Sequence, residues 1–302
     1  MMNLTLKQLR YFEALIQHQH FGHAADASGI SQPALSMQIK ELEESLGVPL
    51  FERAARQVRL TRFGEDLAPR VREILRNVGE VEDMARLAQH NMSGRLRIGV
   101  IPTIAPYLLP TFIGHLTQNH PTLDVHIRET LTPRLIAELA DGKIDTAIVA
   151  LPVSEPAFEE VTIFEEDFVL VRPERDAARP VPSAADLQLM QLLLLEEGHC
   201  FRDQALSFCN IRSSLPREGL DGSSLTTLVQ LVAAGLGVTL IPQMAVSVET
   251  RSAAVSVAQF PTPSPKRKIG MIWRKTSPLA DQFHQIASIV ETAAAGLRYP
   301  TL

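Results

Sequence analysis

The hydrophobic period of this chain changes at Gly94, and no other feature limits its architecture as strongly. Upstream, apolar residues recur at helical spacing; downstream, strand-like and helix-like patterns alternate to the end of the chain. A chain written in two periods is expected to form at least two units.

The upstream part divides further. Thr5 to Gln8 fits a capping box, and Leu6, Leu9, Phe12, Leu15 and Ile16 form the apolar stripe of a first helix. His23 to Ser28 reads as a second, short helix stopped by Gly29. Ser31 or Gln32 caps a third, with Pro33 in its first turn, where a missing N–H costs nothing. Leu35, Ile39, Leu42 and Leu46 share its inner face, and Gly47 and Pro49 end it. Two extended pieces around Leu50–Arg53 and Val58–Leu60 then make a hairpin. From Thr61 to about His90, the residues Leu67, Val71, Ile74, Val78, Val81, Ala85 and Ala88 keep a 4-3 alternation, the seam of a coiled coil, with Pro69 expected to bend its first turns. This reads as a linker helix that dimerises the protein; a helix packed on its own domain is the alternative.

Beyond Gly94, Leu96, Ile98 and Val100 alternate as a strand that breaks at Ile101–Pro102–Thr103. Helix (108–117), strand (123–129), helix (134–141) and strand (146–150) follow. This order predicts an α/β unit with mostly parallel sheets. Gly235–Leu236–Gly237 lacks a surrounding βαβ fingerprint, so it is read as a turn and no cofactor is expected.

The formal net charge of −5 means that any nucleic-acid surface must be local. One is available. The third helix carries Gln32, Ser36 and Lys40 away from its apolar face, side chains suited to a major groove. Arg53, Arg56 and Arg59 of the hairpin suit phosphates. The balance over residues 1–62 is only +1, so placement rather than total charge carries this reading. The chain enters an amphipathic helix without the regions of a signal peptide, and its longest apolar run, Leu189 to Leu195 with Gln191 inside it, is too short for a bilayer. A cytoplasmic protein without a membrane partner is expected.

The chain contains two cysteines, Cys200 and Cys209. In a reducing compartment they form no disulfide framework, and a bond between them is conditional. His199, Arg202 and an apparent helix start at Gly198 surround Cys200 with features that favour a thiolate. Peroxide converts a thiolate to a sulfenic acid, which a second thiol condenses with, and Cys209 is the one intramolecular candidate. If residues 200–209 are helical, their α-carbons stand roughly 13 Å apart at ~1.5 Å per residue, against a disulfide limit of about 7 Å. Oxidation would then unwind the segment. Inert core cysteines, a zinc site and a Cys–His hydrolase are the alternatives; the last two lack the expected ligand spacing and an oxyanion hole.

AADASGISQPALSMQIKELEESLGVPLFER, followed by RLTRFGE, resembles the DNA-binding segment of LysR-type transcriptional regulators. The likeness continues through IPTIAPYLLP (101–110), GHCFRDQALSFC (198–209), DGSSLTTLVQLVAAGLGVTLIP (221–242) and KRKIGMIWR (266–274) into the hydrogen-peroxide-sensing branch of that family. The resemblance implies an α/β fold: an N-terminal winged helix-turn-helix (1–60), a linker helix (61–91) and a periplasmic-binding-protein-like effector domain (92–302). The effector domain would divide into subdomain I, about 92–165 and 269–302, and subdomain II, about 166–268.

It further implies Gln32, Pro33, Ser36 and Lys40 facing DNA, with the wing arginines on its backbone. Cys200 would be peroxidatic and Cys209 resolving, supported by Thr103, Thr132, His199, Arg202, Asp203 and Arg267. The implied protein is a regulator rather than an enzyme. It activates or represses antioxidant genes as a homodimer or homotetramer, its partners being promoter DNA, hydrogen peroxide and RNA polymerase, with no metal. A family member answering to a small organic effector, its cysteines incidental, is the alternative. Ala54–Ala55 departs from the family, which places a polar residue beside Arg53, and 210–220 departs as well.

Overall fold

Thr5 sets the start of the first helix: its hydroxyl accepts from the Gln8 N–H while the Gln8 side chain accepts from the Thr5 N–H, closing the capping box of helix α1 (Leu6–His18). We describe a computed structural model covering residues 4–54, 57–87, 94–209 and 221–297. The chain forms two compact units, Met1–Ala85 and Arg86–Leu302.

In the first unit α1 packs with α2 (Phe21–Ala27) and α3 (Gln32–Leu46) around Leu9, Phe12, Leu15, Leu35, Ile39 and Leu42. Leu6, read as part of the stripe, is exposed, because the core lies one turn further along α1. Helix α2 starts before His23: the His20 imidazole Nδ1 accepts from the Gly22 and His23 N–H groups and caps it. Ser31 caps α3. Strands β1 (Phe51–Ala54) and β2 (Gln57–Leu60) pair antiparallel, with Phe51 opposite Leu60. The hairpin is fixed at both ends. Glu43 accepts from the Leu50 and Phe51 N–H groups, and the Thr61 hydroxyl donates to the Pro49 carbonyl.

Helix α4 (Arg62–Leu87) follows. Its Ala68 and Val71 are buried in the unit's own core, with Leu67 and Leu75 against it, and Arg72 pairs with Glu13 of α1 at 3.2 Å. Ile74, Val81 and Met84 are exposed. The first turns of the helix thus pack on their own unit, as the alternative reading has it. Ala88 lies outside the described residues.

The second unit contains β3 (Gly94–Val100), α5 (Ala105–Asn119), β4 (Leu123–Glu129), α6 (Thr132–Ala140), β5 (Thr146–Leu151) and β6 (Phe158–Pro173). Then come α7 (Ala184–Leu189), β7 (Leu194–Leu195), α8 (Cys200–Phe208), β8 (Asp221–Gly222), α9 (Leu225–Ala233), β9 (Thr239–Pro242), α10 (Val246–Glu249), β10 (Val255–Gln259), β11 (Lys266–Arg274) and α11 (Ala280–Ala295). The main sheet runs β10-β6-β11-β5-β3-β4, with β9 also on β6. Only β4-β3-β5 are parallel within it; β11 lies antiparallel to both β5 and β6, and β9 and β10 lie antiparallel to β6. The expectation of mostly parallel sheets is therefore corrected. Periodicity reports which face of a strand is buried but not its direction, and β11 returns from far along the chain to lie between β5 and β6.

Two cores occupy this unit. One surrounds Ile98, Val100, Phe112, Ile148, Met271, Trp273 and Phe283. The other surrounds Phe168, Leu170, Leu193, Phe201, Leu228, Leu240 and Ile241. Strand β6 runs past both.

Candidate functional site

Helix α8 lies in the second core through Phe201, Ala205, Leu206 and Cys209, and touches the first through Cys200. Cys200, its first residue, packs half-buried against the first core; Cys209, its C-cap, is wholly buried in the second. No disulfide joins them. Nine helical steps of ~1.5 Å put their α-carbons roughly 13 Å apart, beyond the ~7 Å that a disulfide spans. The helix begins where it does because Gly198 adopts φ +94, a left-handed conformation that L side chains rarely adopt, before His199 takes the N-cap.

The N-terminal ends of three helices meet here. Ile101 to Thr103 lead into α5, Leu131 and Thr132 open α6, and Gly198 to Cys200 open α8; together they line a narrow pocket with almost no room for a water-sized sphere. Helix N-termini carry partial positive charge, so the pocket is a setting for negative charge on a reacting group. The Thr132 hydroxyl beside it is buried and makes no hydrogen bond. His199 is buried too. Loss of solvent holds its imidazole below the ordinary histidine value, against a smaller opposing pull from Glu196, so it is neutral near pH 7.

Behind the pocket, Arg267 is fully buried. Its Nε donates to Glu166 Oε1 at 2.7 Å, its Nη1 to the Thr103 hydroxyl at 2.8 Å and its Nη2 to the Thr103 carbonyl at 3.0 Å. Its guanidinium carbon stands 5.4 Å from the centre of the Phe201 ring. Arg267 on β11 and Glu166 on β6 are direct cross-strand partners, which explains how the pair forms. One arginine thereby fixes both the backbone and the side chain of Thr103.

Of the residues read from the sequence, Thr103, Thr132, His199 and Cys200 line the pocket, and Arg267 holds Thr103 from behind. Arg202 is directed elsewhere: its Nη1 donates to the Leu195 carbonyl at 2.6 Å and pairs with Asp221 at 2.9 Å. It sits two residues after Cys200, on another face of the helix, so its charge is spent on the β7–β8 strand pair. Asp203 is exposed in the first turn of α8 and does not line the pocket. Sequence reasoning missed Glu166. The signal was present: on β6 it alternates with Phe164 and Phe168, so the period of two turns a carboxylate inward, where it requires a cation. It also missed the buried Tyr107 phenol on α5, which donates to Glu249 at 2.7 Å; burial, then Glu249, push that phenol's pKa well up.

On the first unit, Gln32, Pro33 and Lys40 of α3 are exposed and Ser36 is half-buried, whereas Leu35, Ile39 and Leu42 are buried. Lys40 lies 3.5 Å from Glu44, an exposed pair that leaves the ammonium accessible to another anion. Arg59 is exposed on β2. The backbone of Arg53 lies on β1, whereas its side chain and all of Arg56 are outside the described residues.

Among the described residues, no helix is long and apolar enough to cross a membrane.

Residues 6–65 match the model of the bacterial regulatory helix-turn-helix protein, lysR family, and residues 89–294 match the LysR substrate binding domain. A probable hydrogen peroxide-inducible genes activator from Streptomyces viridosporus is 43% identical over 97% of this chain and 95% of its own length. The DNA-binding transcriptional dual regulator OxyR of Escherichia coli is 41% identical, covering 97% of each chain. Among solved structures, full-length OxyR from Pseudomonas aeruginosa with a cysteine-to-aspartate substitution superposes with a TM-score of 0.76 at 35% identity, over 95% of each chain. A hydrogen-peroxide-bound cysteine-to-serine mutant of OxyR from Corynebacterium glutamicum gives 0.67 at 38% identity, over 97% of this chain and 93% of that one.

Proposed function

Because the chain belongs to the LysR family of bacterial helix-turn-helix regulators, we propose that it is an OxyR-type transcription regulator that senses hydrogen peroxide through Cys200 and Cys209. The observation that carries this reading is the placement of α8. It presents one cysteine in a small pocket beside Thr103, Thr132 and His199 and buries the other at its far end, in a second core.

The chemistry follows. The Cys200 thiolate attacks one peroxide oxygen, the O–O bond breaks, and the departing hydroxide takes up a proton as water. Cys200 is then a sulfenic acid, oxidised by two electrons. The Cys209 sulfur attacks the sulfenic sulfur, the S–OH bond breaks, a second water leaves and the disulfide forms. Thr103, held by Arg267, and Thr132 offer hydroxyls to the peroxide, while neutral His199 offers a ring nitrogen without adding charge. The pocket falls far short of the roughly 300 Å³ and upward that organic-effector sites occupy.

Bringing the sulfurs together requires α8 to unwind, and because Cys200 touches one core and Cys209 is buried in the other the change reaches both. Such a two-state element links a local reaction to a distant output. In this reading Gln32, Pro33, Ser36 and Lys40 face promoter DNA, and Arg53, Arg56 and Arg59 hold its backbone. The exposed Ile74, Val81 and Met84 of α4 pack against a second copy in a homodimer or homotetramer. The protein works in the cytoplasm with RNA polymerase on antioxidant genes, as a regulator and not an enzyme. Residues 1–60, 61–91 and 92–302 serve as reading head, linker and sensor, the sensor dividing near 165 and 269.

The test is a peroxide titration read by mass spectrometry for a Cys200–Cys209 bond, with DNA footprints in both states. Cys200→Ser is expected to keep folding and DNA binding and to lose the peroxide-dependent footprint. A peroxide response that survives in Cys200→Ser would overturn the assignment.

A further inference from the structure

The last carbonyls of a helix have no partner within it, and a buried helix end has to find one elsewhere. At the end of α8 the Cys209 carbonyl accepts from Gln188 Nε2 at 2.6 Å. Gln188 is on α7, 21 residues upstream, and α7 is held independently: Ser183 and Asp186 close a capping box at its start, and Leu187 is buried in the second core. Gln188 itself is exposed on the surface of α7. One exposed side chain thus ties the backbone of the resolving cysteine to a separate, anchored helix.

This tie sits where the proposed reaction has to move. Disulfide formation closes a gap of roughly 13 Å to about 7 Å or less, so Cys209 leaves its seat or the last turn of α8 opens. Its N–H bond to Ala205 belongs to that turn and is lost with it. The Gln188 bond joins two elements and breaks whenever Cys209 travels.

We propose that Gln188 is a positioning residue that latches Cys209 in the dithiol state, setting how readily the sulfenic acid at Cys200 proceeds to the disulfide. The proposal rests on the peroxide reading above. It concerns only the second step: Cys200 sulfenic acid plus Cys209 thiol giving disulfide plus water, with no further oxidant. Gln188 has no part in the first.

The experiment is single-turnover oxidation of the full-length protein with limiting hydrogen peroxide and dimedone, which captures the sulfenic acid in competition with Cys209. Mass spectrometry reads the ratio of disulfide to adduct. Gln188→Leu keeps the bulk of the side chain without its donor. It is expected to raise that ratio about fivefold, equivalent to the ~1 kcal/mol net contribution of a protein hydrogen bond, with the rate of Cys200 consumption unchanged. Against a dithiothreitol redox buffer, its disulfide should be about 20 mV harder to reduce. Gln188→Lys, which restores an N–H donor of similar reach, should return both values toward wild type, which a loss of α7 packing would not.

An unchanged ratio and potential in Gln188→Leu would overturn the latch, as would failure of Gln188→Lys to rescue. If the wild-type protein forms no Cys200–Cys209 bond with peroxide at all, the underlying reading has failed, and the latch with it.

Discussion

Replacing Arg267 with Met tests how the pocket beside Cys200 is supported. The substitution keeps an unbranched side chain but removes the guanidinium, which contacts Glu166 at 2.7 Å and Thr103 at 2.8 and 3.0 Å. Glu166 would remain almost fully buried, with the Met244 N–H at 3.2 Å still donating to it, and the Thr103 carbonyl would lose a donor. Breaking a buried ion pair from one side typically costs about 3–5 kcal/mol, because the remaining charge is uncompensated. For a unit the size of Arg86–Leu302, each kcal/mol moves Tm by about 2–4 °C, so a fall of roughly 6–20 °C is expected.

Scanning calorimetry of the full chain measures it, and a melt of the helix-turn-helix unit that does not move serves as internal control. Adding Glu166→Leu should recover most of the loss, since an apolar replacement of a buried pair is often neutral. Below the melt, Arg267→Met should also oxidise Cys200 more slowly, because Thr103 is no longer fixed. A Tm within about 3 °C of wild type, or a double mutant no better than the single, would refute the claim that this pair is the pocket's support.

Three further outcomes follow from residues already described. Burial lowers the folded-state pKa of His199, so the unfolded chain binds the proton first as pH falls; stability is complete above the unfolded value of about 6.5 and declines as pH drops through it. In urea melts between pH 7.5 and 5.5, His199→Gln should therefore lose stability less steeply than wild type, and parallel slopes would remove His199 from the account. Lys40→Ala should weaken binding to matched and scrambled duplexes alike and reduce the salt slope by about 1 in fluorescence anisotropy, whereas Gln32→Ala should relax sequence preference.

What was legible in the sequence was local. The Thr5–Gln8 box, the Ser31 cap and the buried faces of α1 and α3 follow from spacing of a few residues, and spacing is what a sequence displays. The start of α2 was hidden because its cap is His20, a residue seldom counted among capping side chains. Strand direction was hidden because a period of two is the same read either way, so the antiparallel return of β11 could not be anticipated. At the site, the cysteines and their neighbours declared themselves by type and separation. The partners that decide what those neighbours do are far away in the chain: Asp221 takes Arg202, and Glu166 takes Arg267. Proximity in sequence thus overstated the charge around Cys200, and the pair beneath Thr103 was signalled only by the period of β6.

Strand β6 bears on how such a sensor can be taken apart. Its 16 residues pair with β11 along the first part and with β9 and β10 along the second, so one uninterrupted stretch of backbone is structural to both cores. A gene split within 158–173 would leave each fragment with an open sheet edge and half a hydrophobic face. Chimeras that exchange one half of the sensor between relatives must therefore carry β6 whole and bring β11 with it, because Arg267 finds Glu166 only in that register. Inheritance of this domain, in the laboratory or in a lineage, is all or nothing across that strand.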